Sequence, residues 1–233
     1  MVWGTVFIAA SFLSGSIPFS LLVGLAKGVD IRKVGSGNPG ATNLGRALGK
    51  RWFFVGFLLD MLKGLVPVLL AGFFMNTLGH WHTPVERTWI VIACVVAAVL
   101  GHIFTPWLKF KGGKGVATTF GALLGVFPIL TYAGLGALAI FLIAFAIWRR
   151  ISVGSILAAL CVPGIVLLLA KYAPNSGVQT EGLLSGSTAI YFWVTTALAA
   201  LVILKHRTNI KRLLNGTEPR YDSKDVAKQS AAQ

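Results

Sequence analysis

Apolar runs dominate this chain and recur between short polar segments. A bilayer crossing needs about 20 mostly apolar residues, and seven stretches are candidates: Val2–Ala26, Trp52–Met75, Thr88–Leu108, Val116–Leu130, Tyr132–Trp148, Val153–Ala170 and Ser187–Leu204. The fourth and fifth are short and meet at Pro128–Tyr132, so a hairpin or a tilted pair is open there, and five or six helices is the fallback. No stretch alternates polar and apolar positions as barrel strands do, and backbone groups in lipid must bond internally. The pattern predicts an all-α, polytopic membrane helix bundle of about seven transmembrane helices.

Composition excludes a soluble domain. Hydrophobic residues make up 55% and charged residues 12%, with mean hydropathy +0.76, whereas soluble domains carry roughly a quarter charged residues. The net charge of +14 is unevenly placed. With seven spans, eighteen of the 21 Lys and Arg fall on one face: those from Lys27 to Arg51, Lys109, Lys111, Lys114, Arg149, Arg150, and those from Lys205 onward. Basic residues favour the cytoplasmic side, so the N-terminus is expected outside and the C-terminus in the cytoplasm. An even helix count would split these basic loops between faces. They are short and belong to no nucleic-acid-binding module, so the expected partners are membrane lipids and phosphorylated substrates, with no nucleic acid.

Before Lys27 there is no basic residue, and no small-residue cleavage site is evident, so the first run is expected to be a retained span. Cys94 and Cys161 lie in apolar runs and imply neither disulfide nor metal. The organisation expected is one membrane domain over residues 1–218 and a mobile polar tail over 219–233. Asn76–Arg87 and Lys171–Gly186 are the outer connections, and Gly125, Gly134 and Gly136 are candidates for close helix packing.

Three polar elements fall on the basic face. The first, Gly35–Asn43, is glycine-rich, contains no acid and is followed by Arg46. Glycine permits positive φ and inward-turned N–H groups that surround an anion. Ser36, Asn38, Thr42 and Asn43 add neutral donors, and Arg46 adds a permanently charged fork. An ordinary loop rich in turn residues has a similar composition.

The second element, Lys111–Thr119, feeds Gly112, Gly113, Lys114 and Gly115 straight into a helix start, where free N–H groups favour an anion. It is not a Walker A loop, because neither Ser nor Thr follows Lys114. Basic anchoring of helix ends explains Lys109 but not the flanking glycines. The third element, His206–Glu218, places His206 and Asn209 three apart on one helical face; a juxtamembrane amphipathic helix on anionic lipid is the alternative. Asp60 and Lys63 sit i, i+3 inside a span, where ionisable groups are functional candidates by default. They either neutralise each other structurally or aim Lys63 at a phosphate. His80, His82 and Glu86 lie outside and lack a convincing fourth ligand, so no metal site is assigned.

Together these motifs closely resemble the bacterial acyl-phosphate:glycerol-3-phosphate acyltransferase family of integral membrane enzymes. The resemblance begins at Ser14–Phe19 and runs through Gly35–Asn43, Leu59–Gly64, His102, Phe110–Thr118 and His206–Glu218, covering almost the whole apolar domain. Pro106 lies four residues after His102 where the family pattern places proline third, a position held here by Thr105.

The resemblance implies transfer of a fatty acyl group from acyl phosphate to the first hydroxyl of glycerol 3-phosphate, giving lysophosphatidic acid and inorganic phosphate in phospholipid biosynthesis. It implies a multi-pass protein of the bacterial inner membrane with a cytoplasmic active site. It also implies no cofactor, no metal and no direct use of acyl-CoA or acyl carrier protein. Carried onto this chain, it makes His206, Asn209 and Ser36 catalytic. Arg46, Lys114, Gly112, Gly113, Gly115, Asn38, Thr42 and Lys63 become substrate-binding, with Gly112–Gly115 around the acyl-phosphate head, and Glu218 becomes structural.

Residue chemistry accommodates this. Acyl phosphate is a mixed anhydride with a good leaving group, so positioning and oxyanion stabilisation carry the step. No Asp stands five positions after any of the four His, so the dyad of CoA-dependent acyltransferases is absent. A substrate phosphate taking the hydroxyl proton, with His206 and Asn209 orienting it, is the preferred scheme; His206 as general base is the rival. The alternative function is a transporter of a phosphorylated small solute, although transporters place broken helices near the midplane and only Ser14–Pro18 offers such a break.

Overall fold

Pro18 divides the first apolar run. A residue before proline is pushed out of helical geometry, and the run becomes α1 (Val2–Ser16) and α2 (Phe19–Ala26). The computed structural model describes residues 2–172 and 182–221. The remaining described helices are α3 (Ala41–Leu48), α4 (Lys50–Phe74), α5 (Val85–Ile103), α6 (Val116–Leu124), α7 (Ile129–Trp148), α8 (Ile151–Tyr172), α9 (Gly186–Lys205) and α10 (Arg207–Leu214), with a 3₁₀ turn at Pro106–Leu108. No strand occurs among the described residues. The 171–186 connection lies mostly at 173–181, outside the described residues, as does the tail from 222.

Among the described residues, six helices are long and apolar enough to cross a membrane: the α1–α2 pair, α4, α5 with its 3₁₀ extension, α7, α8 and α9. The stretch expected as a seventh span, Val116–Leu130, folds differently. Its helix, α6, has nine residues, about 14 Å at 1.5 Å per residue. It still carries the chain from one end of the bundle to the other. Gly112 and Gly113 bond to Ile103 and His102 at the C-terminal end of α5, while Phe127 accepts from Gly79, beyond the far end of α4. Glycine lets α6 lie directly on α4: a methyl at Gly121 would stand 1.9 Å from the Met61 carbonyl oxygen, and one at Gly64 2.3 Å from that of Thr118. Gly125 meets Val68 as expected for close packing, whereas Gly134 and Gly136 have looser neighbours at 3.4 and 3.2 Å.

α5 is central, in contact with α1, α4, α6 and α9. Its Val91, Ile92, Val95 and Val99 join Leu123, Ile129, Val166 and Leu198 in the main core. A smaller core of Leu21, Ile31, Leu44 and Ala47 seats the 27–40 loop between α2 and α3.

The break at Pro18 is sealed by side chains. Thr105 Oγ1 donates to the Ser16 carbonyl at 2.6 Å and Lys63 Nζ to the Ile17 carbonyl at 2.7 Å. Lys63 also pairs with Asp60 Oδ1 at 2.8 Å, and Asp60 Oδ2 accepts from Ser20 at 2.7 Å.

Candidate active site

The glycine-rich loop is shaped by Asn43. From the first turns of α3, its Nδ2 donates to Ile31 O (2.6 Å) and Val34 O (3.1 Å), and its Oδ1 accepts the Ser36 N–H (3.0 Å). Gly35 follows at φ +57° with no room for a Cβ, which would lie 2.5 Å from Asn43 Oδ1. The side chain read as a phosphate donor is thus spent holding the loop. Gly40 then opens α3, and Ser36, Asn38 and Thr42 border the cavity into which its N-terminus faces, with Arg46 one turn later.

The second glycine-rich stretch divides into two roles. The N–H groups of Gly112 and Gly113 are already bonded to Ile103 O (3.1 Å) and His102 O (3.2 Å). A Cβ at Gly113 would sit 2.2 Å from His102 Nε2. These glycines let the chain lie flat on α5 and cap its carbonyls, with both of their N–H groups bonded to protein. Gly115, at φ +88°, opens α6 and turns its start toward the cavity beside Lys114.

The third element supplies the fixed polar wall. Asn209 Oδ1 accepts a hydrogen bond from Lys114 Nζ, and its Nδ2 donates to Glu218 Oε1 at 2.7 Å. Ser152 Oγ donates to the same oxygen at 2.6 Å, Arg212 Nε to Glu218 Oε2 at 2.7 Å, and Arg150 Nε to the Glu218 carbonyl at 3.1 Å. Burial would raise the Glu218 carboxyl, but the donors Ser152, Asn209 and Arg212 outweigh it and hold the pKa below the usual range. Burial pulls Lys114 down to about 8, with Glu218 opposing and Arg212 and Arg46 adding to the fall.

His206 caps α9 and precedes α10. Its Nδ1 lies 2.8 Å from the Val202 carbonyl. A carbonyl only accepts, so the proton sits on Nδ1 and the neutral ring leaves Nε2 as an acceptor. Burial, with Lys114 adding repulsion, lowers His206 to about 4, so it is uncharged at neutral pH.

These groups enclose one cavity of about 320 Å³. Its polar end holds Ser36, Asn38, Thr42, Arg46, Lys114, Gly115, His206 and Asn209, joined by Arg212 and Glu218. Its other end is apolar, with Phe53, Phe54 and Phe57 of α4 facing Phe120 of α6, Phe141 and Leu142 of α7, and Ala158 and Val162 of α8. Two buried polar atoms on its wall, Asn38 Oδ1 and Thr119 Oγ1, lack a partner among the described residues. A space charged at one end and aromatic at the other suits a molecule with an anionic head and a hydrocarbon tail. Among the described residues, no cluster of three or more His, Cys, Asp or Glu stands where it could hold a metal.

Comparison with known proteins agrees with this geometry. The family model described as glycerol-3-phosphate acyltransferase matches residues 5–216. The chain belongs to that family. The glycerol-3-phosphate acyltransferase of Geotalea daltonii is 44% identical over 213 residues, covering 91% of this chain and 95% of its own. That of Geobacter sulfurreducens is 45% identical over the same length and coverage. Two crystal structures of PlsY, an integral membrane glycerol 3-phosphate acyltransferase, are similar in fold. Its glycerol 3-phosphate form has a TM-score of 0.76 and 33% identity, and its lysophosphatidic acid form 0.73 and 32%; each match covers 96% of this chain and 98% of that one. This chain is accordingly a multi-pass membrane acyltransferase.

Of the residues singled out from sequence, Lys63, Gly112 and Gly113 do not line the main cavity. They line a small neighbouring space with His102 and Thr105. Lys63 turns to the Ile17 carbonyl. Sequence reading missed Ser152 and the whole apolar wall. Ser152 follows two arginines at a helix start and has no motif around it; the aromatic residues look like any lipid-facing ones. Tyr221, beyond the expected domain end at 218, still donates its N–H to Arg149 O at 2.7 Å and packs on Phe53 and Phe145.

Proposed function

We propose that this acyltransferase moves a fatty acyl group from acyl phosphate to the first hydroxyl of glycerol 3-phosphate, releasing lysophosphatidic acid and inorganic phosphate. The carrying observation is a cavity that joins a cationic, helix-start end to an apolar end. Arg46, Lys114 and the N-termini of α3 and α6 supply enough positive potential for two phosphate groups. The apolar end accommodates an acyl chain.

In this reading the hydroxyl oxygen attacks the carbonyl carbon, the bond from that carbon to the phosphate oxygen breaks, and the hydroxyl proton leaves with the phosphate. His206 Nε2, a weak base at about 4, accepts a hydrogen bond from the hydroxyl and aims it. The proton's destination is the phosphate, whose second ionisation lies near 6. Asn209 acts on Lys114 rather than on substrate. Ser36, Asn38 and Thr42 offer polar groups to a head group, and neither cofactor nor metal takes part.

The relatives' names and the PlsY forms with glycerol 3-phosphate and lysophosphatidic acid support the acceptor and product. The donor and the orientation are this reading's own. The membrane is the bacterial inner membrane, with the N-terminus outside and the cavity mouth and C-terminus in the cytoplasm.

Incubation of purified protein with glycerol 3-phosphate and either acyl phosphate or acyl-CoA tests the donor. Phosphate release with the first and no turnover with the second is expected, unchanged by a chelator. Turnover with acyl-CoA at an equal rate sinks the donor assignment. Cysteines introduced at Gly79 and Asn215 are expected to label from opposite sides of the membrane.

A further inference from the structure

We propose that Ser152, on a helix that carries none of the sequence motifs, is a positioning residue that keeps Lys114 aimed and charged for substrate phosphate. The inference rests on the phosphate-binding reading of the cavity.

The connection is a chain of oriented bonds. Ser152 is buried, and its hydroxyl and the Asn209 amide share one oxygen of Glu218. The other oxygen is taken by Arg212, whose side chain is 35% exposed. A carboxylate placed between a half-exposed guanidinium and a buried amide turns toward the guanidinium unless something holds its inner oxygen. Ser152 is that hold. With it, Glu218 faces Asn209, the amide keeps its Nδ2 toward Glu218 and its Oδ1 toward Lys114, and the ammonium stays beside the α6 start.

Without it, Glu218 drifts toward Arg212 and Arg150, and Lys114 loses alignment and its nearest counter-charge. The charged groups acting on Lys114 are Glu218, Arg212 and Arg46, with neutral His206 alongside. Glu218 alone favours the ammonium, while burial and both arginines oppose it. Weakening the Glu218 contact therefore deprotonates Lys114 at lower pH. With Lys114 lowered to about 8, a further fall removes protonated lysine chiefly at pH 8.5 and leaves it largely charged at pH 6.5.

The test compares wild type, Ser152→Ala and Ser152→Thr in the full chain at pH 6.5 and 8.5. One arm measures KM and kcat with acyl phosphate and glycerol 3-phosphate; the other measures inorganic phosphate binding by thermal shift. Ser152→Ala is expected to weaken phosphate binding and raise KM about 5- to 10-fold at pH 8.5 and under about 2-fold at pH 6.5, with kcat changing less. Ser152→Thr, which keeps the hydroxyl, is expected to restore both. Equal losses at the two pH values, no loss, or no rescue by threonine overturns the proposal. The phosphate arm needs no acyl donor: wild type that binds phosphate with this pH pattern but turns over no acyl phosphate would refute the donor reading and leave the Ser152 role standing.

Discussion

Two lysine–carboxylate networks lie close together in this protein and use the same chemistry for opposite ends. At the break in the first span, Lys63 bonds Asp60 and the Ile17 carbonyl, and Asp60 bonds Ser20. Both charges are buried and bonded to protein, with Asp60 also bordering the cavity, and the network fastens α1, α2 and α4 together. At the cavity, a neutral amide stands between Lys114 and Glu218. That separation keeps the lysine charged without neutralising it by direct contact. Direct pairing makes a fastener; pairing through an amide leaves a cation available to a ligand.

Breaking the fastener is expected to cost most. Asp60→Asn leaves the Lys63 ammonium buried without a counter-ion, a loss of about 3–5 kcal/mol for an uncompensated charge. Adding Lys63→Met removes that charge and is expected to recover part of the stability. Thermal unfolding in detergent reads both, and an Asp60→Asn protein as stable as wild type would erase the contrast. Lys114→Met is expected to do the reverse. It leaves Glu218 with its other donors but deprives the buried Asn209 Oδ1 of its own, so stability falls by about 1–3 kcal/mol. Catalytic efficiency falls about 100-fold, or about 2.7 kcal/mol, as a phosphate cation is lost.

The asymmetry between the networks was only partly legible in the sequence. Local chemistry marked the break at Pro18, the positive-φ glycines and the Asp60–Lys63 pairing, because each depends on neighbours in sequence. Where Lys63 points depends on the Ile17 carbonyl, 46 positions away, so its structural and phosphate-binding readings stood equal. Gly112 and Gly113 were ambiguous for the same reason: glycine serves an anion cradle and a flat packing contact alike, and their bonds to Ile103 and His102 are not readable from local sequence. The Val116–Leu130 run reads as a span because Gly125–Leu130 continues its apolar character, yet the helix stops at Leu124. The aromatic wall was invisible, since Phe57 in the cavity and Phe73 on the outer surface present the same letter.

Arg46→Lys sharpens the contrast between holding and binding. It keeps the charge while replacing a planar fork by a point donor. Efficiency is expected to fall roughly 10- to 100-fold, about 1.4–2.7 kcal/mol, with KM for the phosphate-bearing substrates carrying most of it. Wild-type kinetics in folded Arg46→Lys protein would reduce this arginine to a surface contact.

His206 gives the smallest expected change and the clearest sign. Its Nδ1 proton is committed to Val202 O, so Nε2 can only accept. Burial and Lys114 hold its pKa near 4, so the ring stays neutral as pH falls from 8 to 5 and gains a proton only below that range. A base of ordinary histidine pKa would lose activity near pH 6.5. If substrate phosphate takes the proton, the His206 contribution to the pH profile is flat across this window. His206→Gln, which can still present an accepting oxygen, is then expected to keep activity within about tenfold of wild type, or about 1.4 kcal/mol. His206→Ala, with no acceptor, is expected to lose more, mainly in kcat. A folded but inactive His206→Gln enzyme, restored by added imidazole, would move the proton from substrate phosphate to His206 and make the histidine the general base.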